Sequence, residues 1–126
     1  MLAGFGEIYG LDRSTAFKLA RAFGSGMGMG WECGAVTGAM MILGFKAQEA
    51  SSEKETRYRV YDLVKEFVHL FKEKRGTVLC KELLGVDLGT PQGREKAIKD
   101  NLYRTLCPDF VLDAAQILDQ MKGRAP

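Results

Sequence analysis

The chain contains no C-x-x-C pair, which removes the thioredoxin-type redox motif and the zinc ribbon, and no C-x-x-C-H, which removes covalent haem attachment. It has a single histidine, His69, and no legible Ser-His-Asp arrangement, paired-carboxylate motif or Walker loop. Its 18 basic and 16 acidic residues are interspersed, giving a formal charge of +2 without the basic stripe that a phosphate backbone requires. Nucleic acid is therefore not an expected partner. The longest apolar run, Cys33 to Phe45, is shorter than the roughly 20 residues a membrane-spanning helix needs. The start, MLAGFGEIYG, carries Glu7 and several glycines and lacks the pattern of a secretory signal, so the expected location is cytoplasmic.

What is present is helical. No alternating strand pattern of useful length occurs, and 126 residues suffice for one domain with its own core. The expected fold is all-α: a single compact bundle, residues 1–126, of about six or seven helices around a central apolar one. A first helix covers about Leu2 to Tyr9. A second follows an Asp12 cap, buries Ala16, Leu19, Ala20 and Phe23, and stops at Gly24. The third, about Trp31 to Phe45, is apolar almost all round and so needs neighbours on every side.

Ser52 and Glu55 form a capping box that opens the longest helix, which ends at Gly76 and buries Val60, Leu63, Val64, Phe67 and Phe71. His69 falls on its polar face, where a solvated role is expected. Thr77 opens a short helix through Leu84. Two more run from about Arg94 to Leu106 and from about Pro108 to Met121, the last burying Val111, Ala114, Ala115, Leu118 and Met121.

Against this frame, the segment GSGMGMGWECGAVTGAMMILG, Gly24 to Gly44, stands out. A loop with four glycines leads into an apolar helix with Cys33 in its first turn. Backbone N–H groups and the positive end of a helix dipole favour a thiolate there, so a lowered thiol pKa is expected. Cys80, three residues after Thr77, and Cys107, just before Pro108, also sit near expected helix starts. Thiolates attack disulfides and bind soft metals; the competing reading is that all three are buried packing residues of a helical interaction module. An odd number of cysteines, 47 and 27 positions apart, does not make a disulfide framework. The glycines of Gly26-x-Gly28-x-Gly30 follow a helix rather than a strand, which argues against a dinucleotide site. They are expected to let backbone come close beside Cys33, as Gly34 and Gly38 do on one side of the third helix. Met27 and Met29 are expected to pack the loop rather than ligate a metal.

The segment from Phe23 to Gly44, then CKELLG from Cys80 to Gly85, then CPDFVLDAAQIL from Cys107 to Leu118, resembles the redox-active protein family named for its C_GCAxxG_C_C cysteine pattern, with a related domain in split-Soret cytochrome c. The resemblance covers nearly the whole chain. It implies a small helical protein whose Cys33, Cys80 and Cys107 match the second, third and fourth family cysteines. These are the implied redox thiols or the ligands of an iron–sulfur cluster or other soft metal, with Gly28, Gly30, Gly34 and Gly38 packed closely around the bound group. The first family cysteine has no counterpart and would fall just upstream of Met1. Three thiolates leave a four-ligand site incomplete without water, a carboxylate, His69 or a second subunit. A redox partner protein and a homodimer are the expected associations. No covalent haem is implied for this chain.

Overall fold

The computed structural model describes residues 1–47 and 50–122. It is all-α: among the described residues no strand forms, and a lone antiparallel bridge joins Glu32 to Leu79. None of these helices is long and apolar enough to cross a membrane.

Helix α1, Leu2–Phe5, tightens into a 3₁₀ turn over Gly6–Tyr9 and ends at Gly10, whose φ of 83° suits glycine. The Asp12 carboxylate accepts from the Thr15 amide at 2.9 Å and opens α2, Arg13–Ala20. Ala16 is buried, but Leu19 is 56% exposed, contrary to the expected apolar face. Helix α2 packs chiefly on α1, so only a narrow alanine line is covered and Leu19 remains outside.

Helix α3, Gly34–Lys46, is the centre of the bundle and packs against α1, against α4 (Glu53–Arg75) and against α8 (Cys107–Gln120). Its Val36, Ala39, Ile42 and Leu43 are buried with Thr37, whose hydroxyl donates to the Gly34 carbonyl at 3.3 Å. An apolar helix is stable in this position because neighbours remove most of its sides from water. Near its end Phe45 stays partly exposed and stacks on Tyr9, with ring centroids 5.5 Å apart.

Helix α4 starts where Ser52 Oγ accepts from the Glu55 amide at 3.2 Å. The reciprocal half of the capping box does not form, because the Glu55 carboxylate takes the Ser51 hydroxyl instead. Leu63, Phe67 and Phe71 are its buried stripe, with Val60 and Val64 half-buried beside them. Gly76 ends it at φ 80°, as a left-handed C-terminal residue should.

Short helix α5, Cys80–Leu84, follows a turn in which Thr77 Oγ accepts from the Leu79 amide. The single helix expected from Arg94 to Leu106 is two: α6, Pro91–Lys99, and α7, Leu102–Thr105. Asn101 between them has φ 56°, a left-handed conformation that no α-helix continues through. Thr90 capping Gly93, with Pro91 in the first turn, moves the start of α6 earlier than the apolar pattern indicates.

Helix α8 turns Phe110, Ala114, Ile117 and Leu118 inward, whereas Val111, expected inside, is 40% exposed. Its buried Asp113 receives Lys74 Nζ at 2.9 Å and Arg75 Nε at 2.5 Å, pinning the end of α4 to α8. Burial alone would push the Asp113 carboxyl up, but the two cations outweigh it and hold the group below its ordinary range.

Candidate functional site

The sequence between Gly24 and Gly34 folds as a left-handed reversal. Ser25, Gly26, Met27 and Gly28 all have positive φ, as does Gly30, and the Trp31 amide closes the turn on the Gly26 carbonyl at 3.2 Å. A Cβ on Gly26 would lie 2.4 Å from the Trp31 nitrogen, so only glycine fits there. The turn delivers the chain into an extended stretch at Trp31–Cys33 that pairs with Val78–Cys80. The Cys33 amide donates to the Val78 carbonyl at 2.8 Å, and the Cys80 amide donates to the Trp31 carbonyl at 2.6 Å. In such a pairing residues alternate between faces, so Cys33 and Cys80 share a face that Glu32 and Leu79 do not.

Immediately beyond the bridge both segments become helices. Cys33 is the residue that caps α3, Cys80 is the first residue of α5, and Cys107 is the first of α8. All three line one hollow of about 150 Å³, together with Gly34, Ala35, Leu83, Leu84, Leu88, Phe110 and Val111, and with Ser25 and Tyr103 as its hydroxyl-bearing side chains. Cys80 is buried; Cys33 and Cys107 are half-buried; all three are free thiols. Several wall residues lie three or four positions from a cysteine, as Leu83 and Leu84 do from Cys80, and Tyr103, Phe110 and Val111 from Cys107. Helical spacing is thus the signal that could have found them in the sequence. Phe110 is held from behind by the Arg75 guanidinium, 5.1 Å from its ring centroid, which ties the wall to the Asp113 ion pairs.

The expected lowering of the thiol pKa is overturned. Burial pushes the Cys33 thiol up; the amides of Ala35 and Val36 oppose this, without closing a side-chain capping bond, and the Glu32 carboxylate adds to the rise. Burial raises Cys80 to about 11, reinforced by Cys33, then Cys107, then Asp87. Cys107 is raised by burial and by Cys33. Removing a thiolate from water costs more than the start of a helix returns. Because of those two amides, Cys33 has a stabilising influence on its thiolate that neither other cysteine shares.

The glycines expected beside a bound group have separate places. Gly34 lies at the hollow, and a Cβ there would approach the Phe23 carbonyl oxygen at 3.0 Å. Gly30 passes Asp87 and Lys81 closely, and Gly28, at φ 70°, has open space around it. Gly38 faces Met1, whose Cβ would be 2.8 Å from an added Cβ, on the side where α1 packs. His69 is exposed and pairs with Glu73 on the outside of α4 at 3.3 Å, away from the thiols. Among the described residues, no group of three or more His, Cys, Asp and Glu side chains is placed to hold a metal ion. With no nitrogen, carboxylate or cation on the walls, the three thiols as arranged do not fit a resident iron–sulfur cluster or four-ligand zinc site.

The helical bundle thus brings three free thiols from three helix starts to one apolar hollow, the mark of a cysteine-centred helical protein. The chain belongs to the family described as "Putative redox-active protein (C_GCAxxG_C_C)", whose pattern matches residues 1–121. No curated protein and no solved structure matches it.

Proposed function

We propose that the chain is a thiol–disulfide redox protein in which Cys33 and Cys80 are the working pair. The observation that carries this reading is the bridge that fixes these two cysteines on one face at the mouth of two helices. Cys33, whose thiolate is favoured by the Ala35 and Val36 amides, ionises ahead of Cys80 and is the attacking group. Its thiolate attacks one sulfur of a disulfide on a redox partner protein, forming a mixed disulfide and releasing one partner thiol. The Cys80 sulfur then attacks Cys33 Sγ, releases the second partner thiol and leaves Cys33–Cys80 oxidised. Two electrons and two protons pass to the partner. Cys107, on α8, completes the thiol set and raises the cost of ionising Cys80.

Equilibration of the full chain with graded dithiol–disulfide buffers, followed by acid quench, alkylation and peptide mapping, tests this. The expected result is one reversible bond between Cys33 and Cys80, lost in Cys33→Ser with helical content retained. Three thiols that stay free at every poise, or a bond that maps to Cys107, would overturn the reading.

A further inference from the structure

The walls of the thiol hollow restrict what can enter it. No Lys, Arg, His, Asp or Glu side chain lines it, and most of its surface is carbon and sulfur from Leu83, Leu84, Leu88, Phe110, Val111 and the cysteines. An ion entering this space would lose water without meeting a counter-charge. Its volume, about 150 Å³, matches an engineered apolar cavity that takes benzene. A small aromatic group therefore fits.

The state of the thiols narrows the chemistry further. Burial keeps them protonated, so a ligand that needs thiolates must expel protons from groups that resist ionising. A zinc ion is poorly served: it needs deprotonated ligands, prefers four, and finds no nitrogen or carboxylate on these walls. A monosubstituted arsenoxide, R–As=O, is well served. Its oxygen takes both thiol protons and leaves as water, two As–S bonds replace the As=O bond, arsenic remains trivalent and the adduct is neutral.

We propose that this hollow is a binding site for small uncharged thiophiles bearing one apolar substituent, of which an aryl arsenoxide is the type case, held by Cys33 and Cys80. The inference deepens the thiol-pair reading and shares with it the need for both cysteines in reduced form. Phenylarsine oxide is the probe. Reduced full-length protein should bind one arsenic per chain with loss of two titratable thiols, and the Cys33–Cys80 disulfide form should bind none. Cys33→Ser should bind about 100-fold more weakly, a loss worth two tenfold steps. A ring-carboxylated arsenoxide of similar size should bind at least about tenfold more weakly than the phenyl compound, since its charge has no partner in the hollow.

Equal affinity for the charged and uncharged probes would overturn the proposal in the unmutated protein, whatever the variants do. So would undiminished binding by Cys33→Ser or by the oxidised protein. If Cys33 and Cys80 form their disulfide but the arsenical does not bind, the ligand proposal fails and the redox reading stands. If the arsenical bridges the two and no disulfide forms at any poise, the reverse holds.

Discussion

Cys33 and Cys80 lie diagonally across one backbone bridge, the Cys33 amide donating to the Val78 carbonyl and the Cys80 amide to the Trp31 carbonyl, at 2.8 and 2.6 Å. The backbone of each cysteine is therefore fixed by main-chain hydrogen bonds. The consequence is a pair whose geometry is set while its ionisation is suppressed, since burial raises both thiols.

Alkylation by a neutral reagent such as iodoacetamide should accordingly accelerate with pH beyond the range in which an ordinary cysteine has levelled off. Cys33 should react ahead of Cys80, which is half-ionised only near pH 11. The same shifts make stability pH-dependent. Between the ordinary value of 9.0 and the raised folded values, the folded chain binds more protons than the unfolded one, so stability falls as pH rises through that window. Thermal unfolding in reducing buffer should show a falling Tm from about pH 9 toward pH 11, and a smaller fall in Cys80→Ser. A flat profile in the parent would contradict suppressed ionisation.

Asp113→Asn should loosen the junction of α4 and α8. Asp113 is 8% exposed and its carboxylate is bonded to both Lys74 and Arg75, but these partners reach solvent, so the loss should be about 1–3 kcal/mol rather than the full penalty of an abandoned buried pair. Its lowered pKa adds stability that is present above the unfolded carboxylate value and lost as pH falls through the folded one. Urea unfolding at pH 7 and at pH 3 checks both statements: the gap between parent and variant should shrink in acid.

How much of this was legible beforehand depended on how local each cause is. Asp12, Ser52, Gly76 and Pro108 announce helix ends because capping is decided within one turn of chain. The break at Asn101 was not legible, since asparagine tolerates both helical and left-handed backbone and tertiary packing selects between them. The three cysteines were recognisable as helix-start residues, and their resemblance pattern tied them together. The pKa direction of Cys33 was missed because a helix start is visible in sequence, whereas the walls that bury this thiol come from Leu84, Leu88 and Phe110, on elements other than its own. His69 lies on the outer face of α4, as its position opposite the buried stripe indicated.

Two glycines of α3 should answer an alanine substitution with opposite signs. Gly44→Ala meets nothing within 4 Å and should stabilise by about 1 kcal/mol through helix propensity. Gly38→Ala places a Cβ 2.8 Å from Met1 Cβ, so α1 must shift and stability should fall by about 1–3 kcal/mol. Chemical denaturation measures both. Thiol count and alkylation rate in Gly38→Ala should stay at parental values if this glycine serves packing against α1; a change in them would place Gly38 at the thiol site.

The left-handed turn ahead of Cys33 permits a sharper pair. Met27 has φ 59° without being glycine, a conformation costing an L-residue about 1–2 kcal/mol, so Met27→Gly should recover about 0.5–1 kcal/mol after its partly buried side chain is lost. Gly26→Ala has the same backbone problem and also drives a Cβ to 2.4 Å from the Trp31 nitrogen. It should cost about 3 kcal/mol or more, and because Trp31 carries the carbonyl that receives the Cys80 amide, the damage should reach the thiols. Alkylation of Cys80 at pH 8 should therefore speed up in Gly26→Ala and remain slow in Met27→Gly. An unchanged Cys80 rate in a destabilised Gly26→Ala would show that the turn and the bridge are mechanically independent.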